Sequence, residues 1–147
     1  TTRSLSAGSP TTTPSRRCYS RGHVVNFDGG VSIPGSSSPS VVAPPLSVEA
    51  AADPEELLIA SLSSCHMLTF LDIARRAGFV VDSYTDEAEG GLVKHANGRY
   101  SLGSVTLHPR IEFSGEPPSP ETLAELHHKS HELCFIANSV NFPVNVA

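Results

Sequence analysis

Two cysteines and a set of histidines carry the chemistry this sequence could perform. Cys65 lies in SLSSCHMLTFL, residues 61–71, the most apolar part of the chain, and Cys134 lies in HHKSHELCFIA, residues 127–137. A buried cysteine is most often inert packing; it becomes a nucleophile or a metal ligand only where its thiolate is stabilised. His66 follows Cys65 directly, but neighbours on a helix point about 100° apart, so His66 is a poor general base for that thiol. It reads instead as a core histidine with a satisfied hydrogen bond. His127, His131 and Cys134 are spaced i, i+4 and i, i+3, so one helical face could carry all three, with Cys65 completing a zinc site. Against that reading, the chain has no Cys-x-x-Cys pair and no other ligand cluster.

These residues need elements to hold them. In Asp53-Pro54-Glu55-Glu56, Asp53 can cap a helix, Pro54 suits its first position and Glu56 can close a capping box. The helix should run to about Ala77 and end at Gly78. Its middle is apolar almost all round, which belongs in a core or a dimer interface. Its polar residues Ser61, Ser63, Ser64, Cys65, His66 and Thr69 therefore stand out. Cys65 would lie roughly 15–18 Å from the start of this helix at about 1.5 Å per residue. The helix dipole fades within the first turn and cannot activate it. A cation must come from elsewhere. Of Arg17, Arg21, Lys94, Arg99 and Arg110, Arg21 is best placed, on a strand preceding the helix.

After Gly78 the pattern turns to strands: FVVDSYTDEAEGGLV, the favoured turn pair Asn97-Gly98, and RYSLGSVTLHPRIEF, which together predict a long hairpin. Val105, Leu107, Pro109, Ile111 and Phe113 would share one face, with Pro109 marking an edge. Ser119 can cap a second helix that starts with Pro120 and carries Cys134 near its end, and SVNFPVNVA suits a last strand. Upstream, CYSRGHVVNFDGG predicts a short strand ending at Asp28-Gly29-Gly30. Residues 1–17 read as a flexible Ser/Thr/Pro-rich tail and residues 18–147 as one domain. The fold class is α+β, with so few elements for so apolar a helix that an obligate dimer is expected.

Bulk properties narrow the function. The chain has 147 residues, 39% apolar and 17% charged, which suits one globular domain. A net charge of −5 offers no footprint for nucleic acid or an anionic membrane, and no apolar run is expected to approach a membrane span. Three cysteines are too few for a secreted disulfide scaffold, so a reducing, cytoplasmic setting is expected.

DPEELLIASLSSCHMLTFLDIARRAGF, together with HHKSHELCFIANSV, FDGG and DEAEG, resembles the OsmC/Ohr family of osmotically inducible and organic hydroperoxide resistance proteins. The resemblance runs from about Tyr19 to Val146, and SCHM and HELCFIANSV are closer to an OsmC-like branch. It implies an intertwined α+β homodimer, with a long central buried helix and a second helix packed against antiparallel sheets. It implies thiol-dependent reduction of organic hydroperoxides with no cofactor and no metal, and an external thiol or dithiol reductant, such as a lipoyl group. By resemblance Cys65 matches the peroxidatic cysteine, Cys134 the resolving cysteine, Glu55 the glutamate at the start of the long helix, and Arg21 the arginine on an early strand, with Arg17 as the other candidate. Leu62, Leu68 and Phe135 are expected as apolar walls for an alkyl peroxide. Ten residues of helix separate Glu55 from Cys65, about 15 Å, so Glu55 could act only from a partner helix or by gripping an arginine. Two other readings stay open: a non-catalytic OsmC-like stress protein holding an apolar ligand at its interface, and the zinc site above.

Overall fold

The computed structural model describes residues 4–7 and 19–147, with side chains from Tyr19 onward. Arg17 and Cys18 lie outside the described residues. The chain divides into two compact units, residues 1–57 and 58–147.

In the first unit, β1 (Ser4–Ala7), β2 (His23–Asn26) and β3 (Ser32–Gly35) form an antiparallel sheet in the order β1-β2-β3. A strand therefore lies within the stretch read from sequence as a flexible tail. The turn at Asp28–Gly30 joins β2 to β3, closed by Phe27 N–H donating to the Val31 carbonyl at 2.8 Å. Gly30 supplies the positive φ of 86° that the turn needs. After β3 the chain loops over residues 36–52. Ser36, fully buried, anchors this loop by accepting a hydrogen bond from Val48 N–H at 2.9 Å.

The long helix α1 spans Pro54–Arg76. Its start is the expected capping box: Asp53 Oδ1 accepts from Glu56 N–H at 2.8 Å, and Glu56 Oε2 accepts from Asp53 N–H at 3.2 Å. Its end is a Schellman motif. Gly78 N–H donates to the Arg75 carbonyl, Phe79 N–H donates to the Ala74 carbonyl, and Gly78 takes φ 89°.

The second unit holds the predicted hairpin, but bent. β4 (Val80–Asp86) pairs with β7 (Pro109–Ser114), and β5 (Glu89–Lys94) pairs with β6 (Tyr100–Leu107). Asp86↔Pro109 and Glu89↔Thr106 are partners in one continuing antiparallel register, interrupted at Glu87-Ala88 and His108. Residues Val105 to Phe113 therefore do not share one sheet face: Val105 and Leu107 serve one core, Ile111 and Phe113 the other. β8 (Val144–Val146) adds to β6 in parallel, so the sheets are mixed rather than purely antiparallel. The helix α2 runs Pro120–Leu133, with Ser119 Oγ accepting from Thr122 N–H at 3.2 Å. A short 3₁₀ turn follows at Ala137–Ser139.

α1 serves both cores of this unit. Leu62 packs with Val105 and Leu107 on the β5-β6-β8 sheet, while Phe70 and Ala74 pack with Leu126 of α2 and with β4 and β7. Burial on α1 follows one stripe, Leu62, His66, Phe70 and Ala74, at i, i+4 spacing. On the opposite side Ala60, Ser64 and Leu68 are exposed, Leu68 to 61%. The helix is thus not buried all round in the single chain, as its composition predicts. An 18-residue window of α1 has a mean hydropathy of 1.6, long and apolar enough to cross a membrane by length and composition. That corrects the expectation that no run approaches a span, although its contacts with two sheets are those of a core helix.

Candidate active site

Cys65 occupies the middle of α1, half-buried, and Cys134 is the first residue beyond α2, fully buried. Both are free thiols, and their side chains lie close enough to interact. Two residues far apart in sequence are thereby brought into contact. Burial, followed by the neighbouring Cys65 thiol, pushes the Cys134 thiol up to about 11. Cys134 therefore holds its proton.

The backbone around Cys134 is unusual for a thiol. Because α2 stops at Leu133 rather than continuing, Cys134 takes an extended conformation, φ −68° and ψ 112°. The following turn aims Ala137 N–H at its sulfur at 3.4 Å, and the nearby Ile136 amide favours the thiolate in the same sense. Both amides oppose the effect of burial. Asn138 ties the turn down: its Nδ2 donates to the Glu132 carbonyl at 2.8 Å and to the Cys134 carbonyl at 3.0 Å. Asn138 carries no signal in the sequence, because LCFIAN continues a helical pattern and nothing marks it as the anchor of a turn.

Four polar residues in the middle of α1 find partners. Ser61 Oγ donates to the Leu58 carbonyl and Thr69 Oγ1 to the Cys65 carbonyl, both at 2.8 Å. Ser63 Oγ donates to Asp86 Oδ2 at 2.5 Å, and Asp86 Oδ1 accepts from His108 N–H at 2.7 Å. Asp86 thus pins the bend of the hairpin to the turn of α1 that carries Cys65. His66 is buried and shares a hydrogen bond with His127, Nε2 to Nδ1 at 3.1 Å. Burial first, then the neighbouring His127 and His131, depress His66 to about 4, with Asp86 acting weakly the other way. Burial also lowers His127. His66 is therefore the satisfied core histidine expected from the sequence. Nδ1 of His131 is buried without a hydrogen-bond partner.

Among the described residues no group of three or more His, Cys, Asp or Glu side chains is arranged to hold a metal ion, so the zinc reading gains no ligand set. Leu62 is fully buried in the core and is not a wall, whereas Leu68 and Phe135 are exposed. Arg21 and Glu55 belong to the first unit. Arg21 precedes β2 instead of lying on a strand; its backbone N–H donates to the Leu46 carbonyl at 2.7 Å and its guanidinium to the Tyr19 carbonyl at 3.2 Å. Glu55 sits half-buried in the first turn of α1.

The class defined by this fold and thiol pair has a counterpart among known families. The OsmC-like protein family matches residues 47–147, and the chain belongs to that family. An OsmC-like protein of unknown function from Vibrio cholerae shares 51% identity over 87% of this chain and 84% of its own, with a TM-score of 0.84. Organic hydroperoxide resistance proteins share the fold at lower identity. That of Bacillus subtilis is 21% identical, with 99% and 96% of the two chains covered and a TM-score of 0.70. That of Elizabethkingia anophelis is 23% identical, with 99% and 95% covered and a TM-score of 0.69. No curated protein matches the chain.

Proposed function

We propose that this protein is a thiol-dependent peroxidase that reduces organic hydroperoxides to alcohols in oxidative stress defence. The observation that carries the reading is the contact between two free thiols in unlike settings, Cys65 half-buried and Cys134 buried with its proton held. Membership of the OsmC-like family and the fold shared with organic hydroperoxide resistance proteins support it.

The chemistry follows from that asymmetry. The Cys65 sulfur attacks the distal oxygen of the hydroperoxide and the O–O bond breaks. The alkoxide leaves as an alcohol after taking a proton, and Cys65 becomes a sulfenic acid. Cys134 then attacks the Cys65 sulfur, a disulfide forms, and the hydroxyl leaves as water with the thiol proton. Burial keeps the proton on Cys134 until it attacks, while the Ala137 N–H at 3.4 Å favours its thiolate. An external thiol or dithiol, a lipoyl group among the candidates, then delivers two electrons and restores both thiols.

Arg21 is proposed to pair with the Cys65 thiolate and polarise the O–O bond, with Arg17 as the alternative, and Glu55 to orient that arginine. A second copy of the chain would cover the exposed face of α1 at Ala60, Ser64 and Leu68, giving a homodimer. The setting is proposed to be cytoplasmic, where free thiols persist.

The test is to mix reduced protein with cumene hydroperoxide and map the products by mass spectrometry. Peroxide consumption together with a Cys65–Cys134 disulfide is expected. Inert thiols would overturn the reading in favour of a non-catalytic OsmC-like protein that holds an apolar ligand.

A further inference from the structure

The peroxidase chemistry above leaves one buried polar feature unused, the His66–His127 pair. Its rings are parallel to within 10° with centroids 5.4 Å apart, the offset expected when two imidazoles share an in-plane N–H···N bond. The bond, 3.1 Å long, joins α1 to α2. Phe70, one turn after His66, stacks on the His127 ring at 4.6 Å. α1 therefore grips a single α2 residue at two points, one polar and one apolar. The grip is next to the thiols on both helices: His66 follows Cys65 directly, and Cys134 lies two helical turns beyond His127. The groups facing His66 are His127 and His131 from α2 and Asp86 from β4. In a neutral pair one nitrogen donates and the other accepts, so the bond fixes direction as well as distance.

We propose that the His66–His127 bond, seated on Phe70, is a register clamp: it sets α2 against α1 so that Cys134 reaches Cys65, and it thereby governs how readily the disulfide closes. Both histidines are positioning residues, acting through the helices rather than on the peroxide. The inference rests on the Cys65–Cys134 pairing of the proposed cycle, but not on peroxide turnover.

The pairing can be measured without peroxide. In a glutathione buffer, two protein thiols and one oxidised glutathione exchange to one protein disulfide and two reduced glutathiones, with atoms and electrons balanced. The equilibrium constant reports the effective concentration of one protein thiol at the other. His127→Leu is expected to lower that constant by about tenfold or more. His127→Gln, which keeps an acceptor for His66, should return it to within about threefold of the parent. The double variant His66→Leu with His127→Leu should be no worse than His127→Leu alone, because both remove one bond. A folded His127→Leu with the parent constant would overturn the clamp, as would His127→Gln failing to rescue or the double variant losing the product of the single effects. Nitrogen-15 spectra of the unaltered protein give a check that needs no variant. One protonated and one bare nitrogen at His66 Nε2 and His127 Nδ1 are expected, and two rings titrating independently near pH 6.5 would overturn the bond. Disulfide closure in glutathione without peroxide consumption would reject the peroxidase reading and leave the clamp standing. Absence of the Cys65–Cys134 disulfide would reject both.

Discussion

The middle of α1 and the end of α2 hold the same functional group in opposite backbone settings. Around Cys65 the helix continues in both directions, so its amide hydrogens are consumed by i−4 carbonyls and none is left for a sulfur. Around Cys134 the helix has just stopped, and the turn that follows frees the Ala137 N–H to face the thiol. A mid-helix cysteine depends on side chains for its activation, whereas a cysteine past a helix end is served by backbone. The difference suits the two steps proposed for them. In the proposed cycle Cys65 meets an outside substrate and a cationic side chain, whereas Cys134 meets only Cys65 and is served by its local backbone.

The largest effect should come from exchanging the sulfurs themselves. Cys65→Ser is expected to abolish peroxide consumption, a loss of at least about a thousandfold. Cys134→Ser should retain the first turnover and then stall as a Cys65 sulfenic acid, trapped by dimedone and seen by mass spectrometry. Equal losses in both variants would erase the division of labour between the two sites.

Acid should act next, through the histidine pair. The unfolded chain takes a proton on His66 at its ordinary 6.5, but the folded chain only at about 4, so the unfolded state binds more protons between those values. Stability is then complete above pH 6.5 and falls as pH drops toward 4, by roughly 3 kcal/mol, with His127 adding in the same direction. Urea unfolding at pH 7.5 and 4.5 measures this, and His66→Gln should flatten most of the difference.

Smaller changes probe each thiol's support. Asp86→Ala removes the acceptor of both Ser63 and the His108 amide and should cost about 2 kcal/mol in the same unfolding assay. Because it loosens the α1 side, peroxide consumption by Cys65 should suffer more than disulfide closure. Asn138→Ala does the reverse: it frees the turn behind Cys134, should cost about 1 kcal/mol, and should slow closure several-fold while the first step is unchanged. Stopped-flow traces that follow the two steps separately would separate these effects; identical traces for the two variants would collapse the comparison.

Much of this was legible because it is local. The Asp53–Glu56 capping box, the stop at Gly78, the Asn97-Gly98 turn and the Ser119 cap all lie within a few residues of the groups they satisfy, and each stands where the sequence pattern puts it. The family was legible too, because its motifs are short and surround the two cysteines. The hairpin's bend was not. Alternation runs through His108 without a break, and only the packing of α1 on two sheets at once makes the strands part there. Nor could α2's early end be read. LCFIA continues a helical pattern, yet the chain leaves it at Cys134, where Asn138 holds the Glu132 and Cys134 carbonyls.

The sequence by itself determined where the helices begin and where α1 ends, which turn reverses the hairpin, and which residues could bear chemistry, since those follow from nearest-neighbour hydrogen bonding and composition. Only the tertiary structure decided that Cys65 touches Cys134 and that His66 bonds His127. Each of those contacts joins residues more than a whole hairpin apart in the chain. It exists because burying Leu62, Phe70 and Ala74 on two sheets and α2 sets the helices side by side, a cooperative outcome that no local pattern encodes.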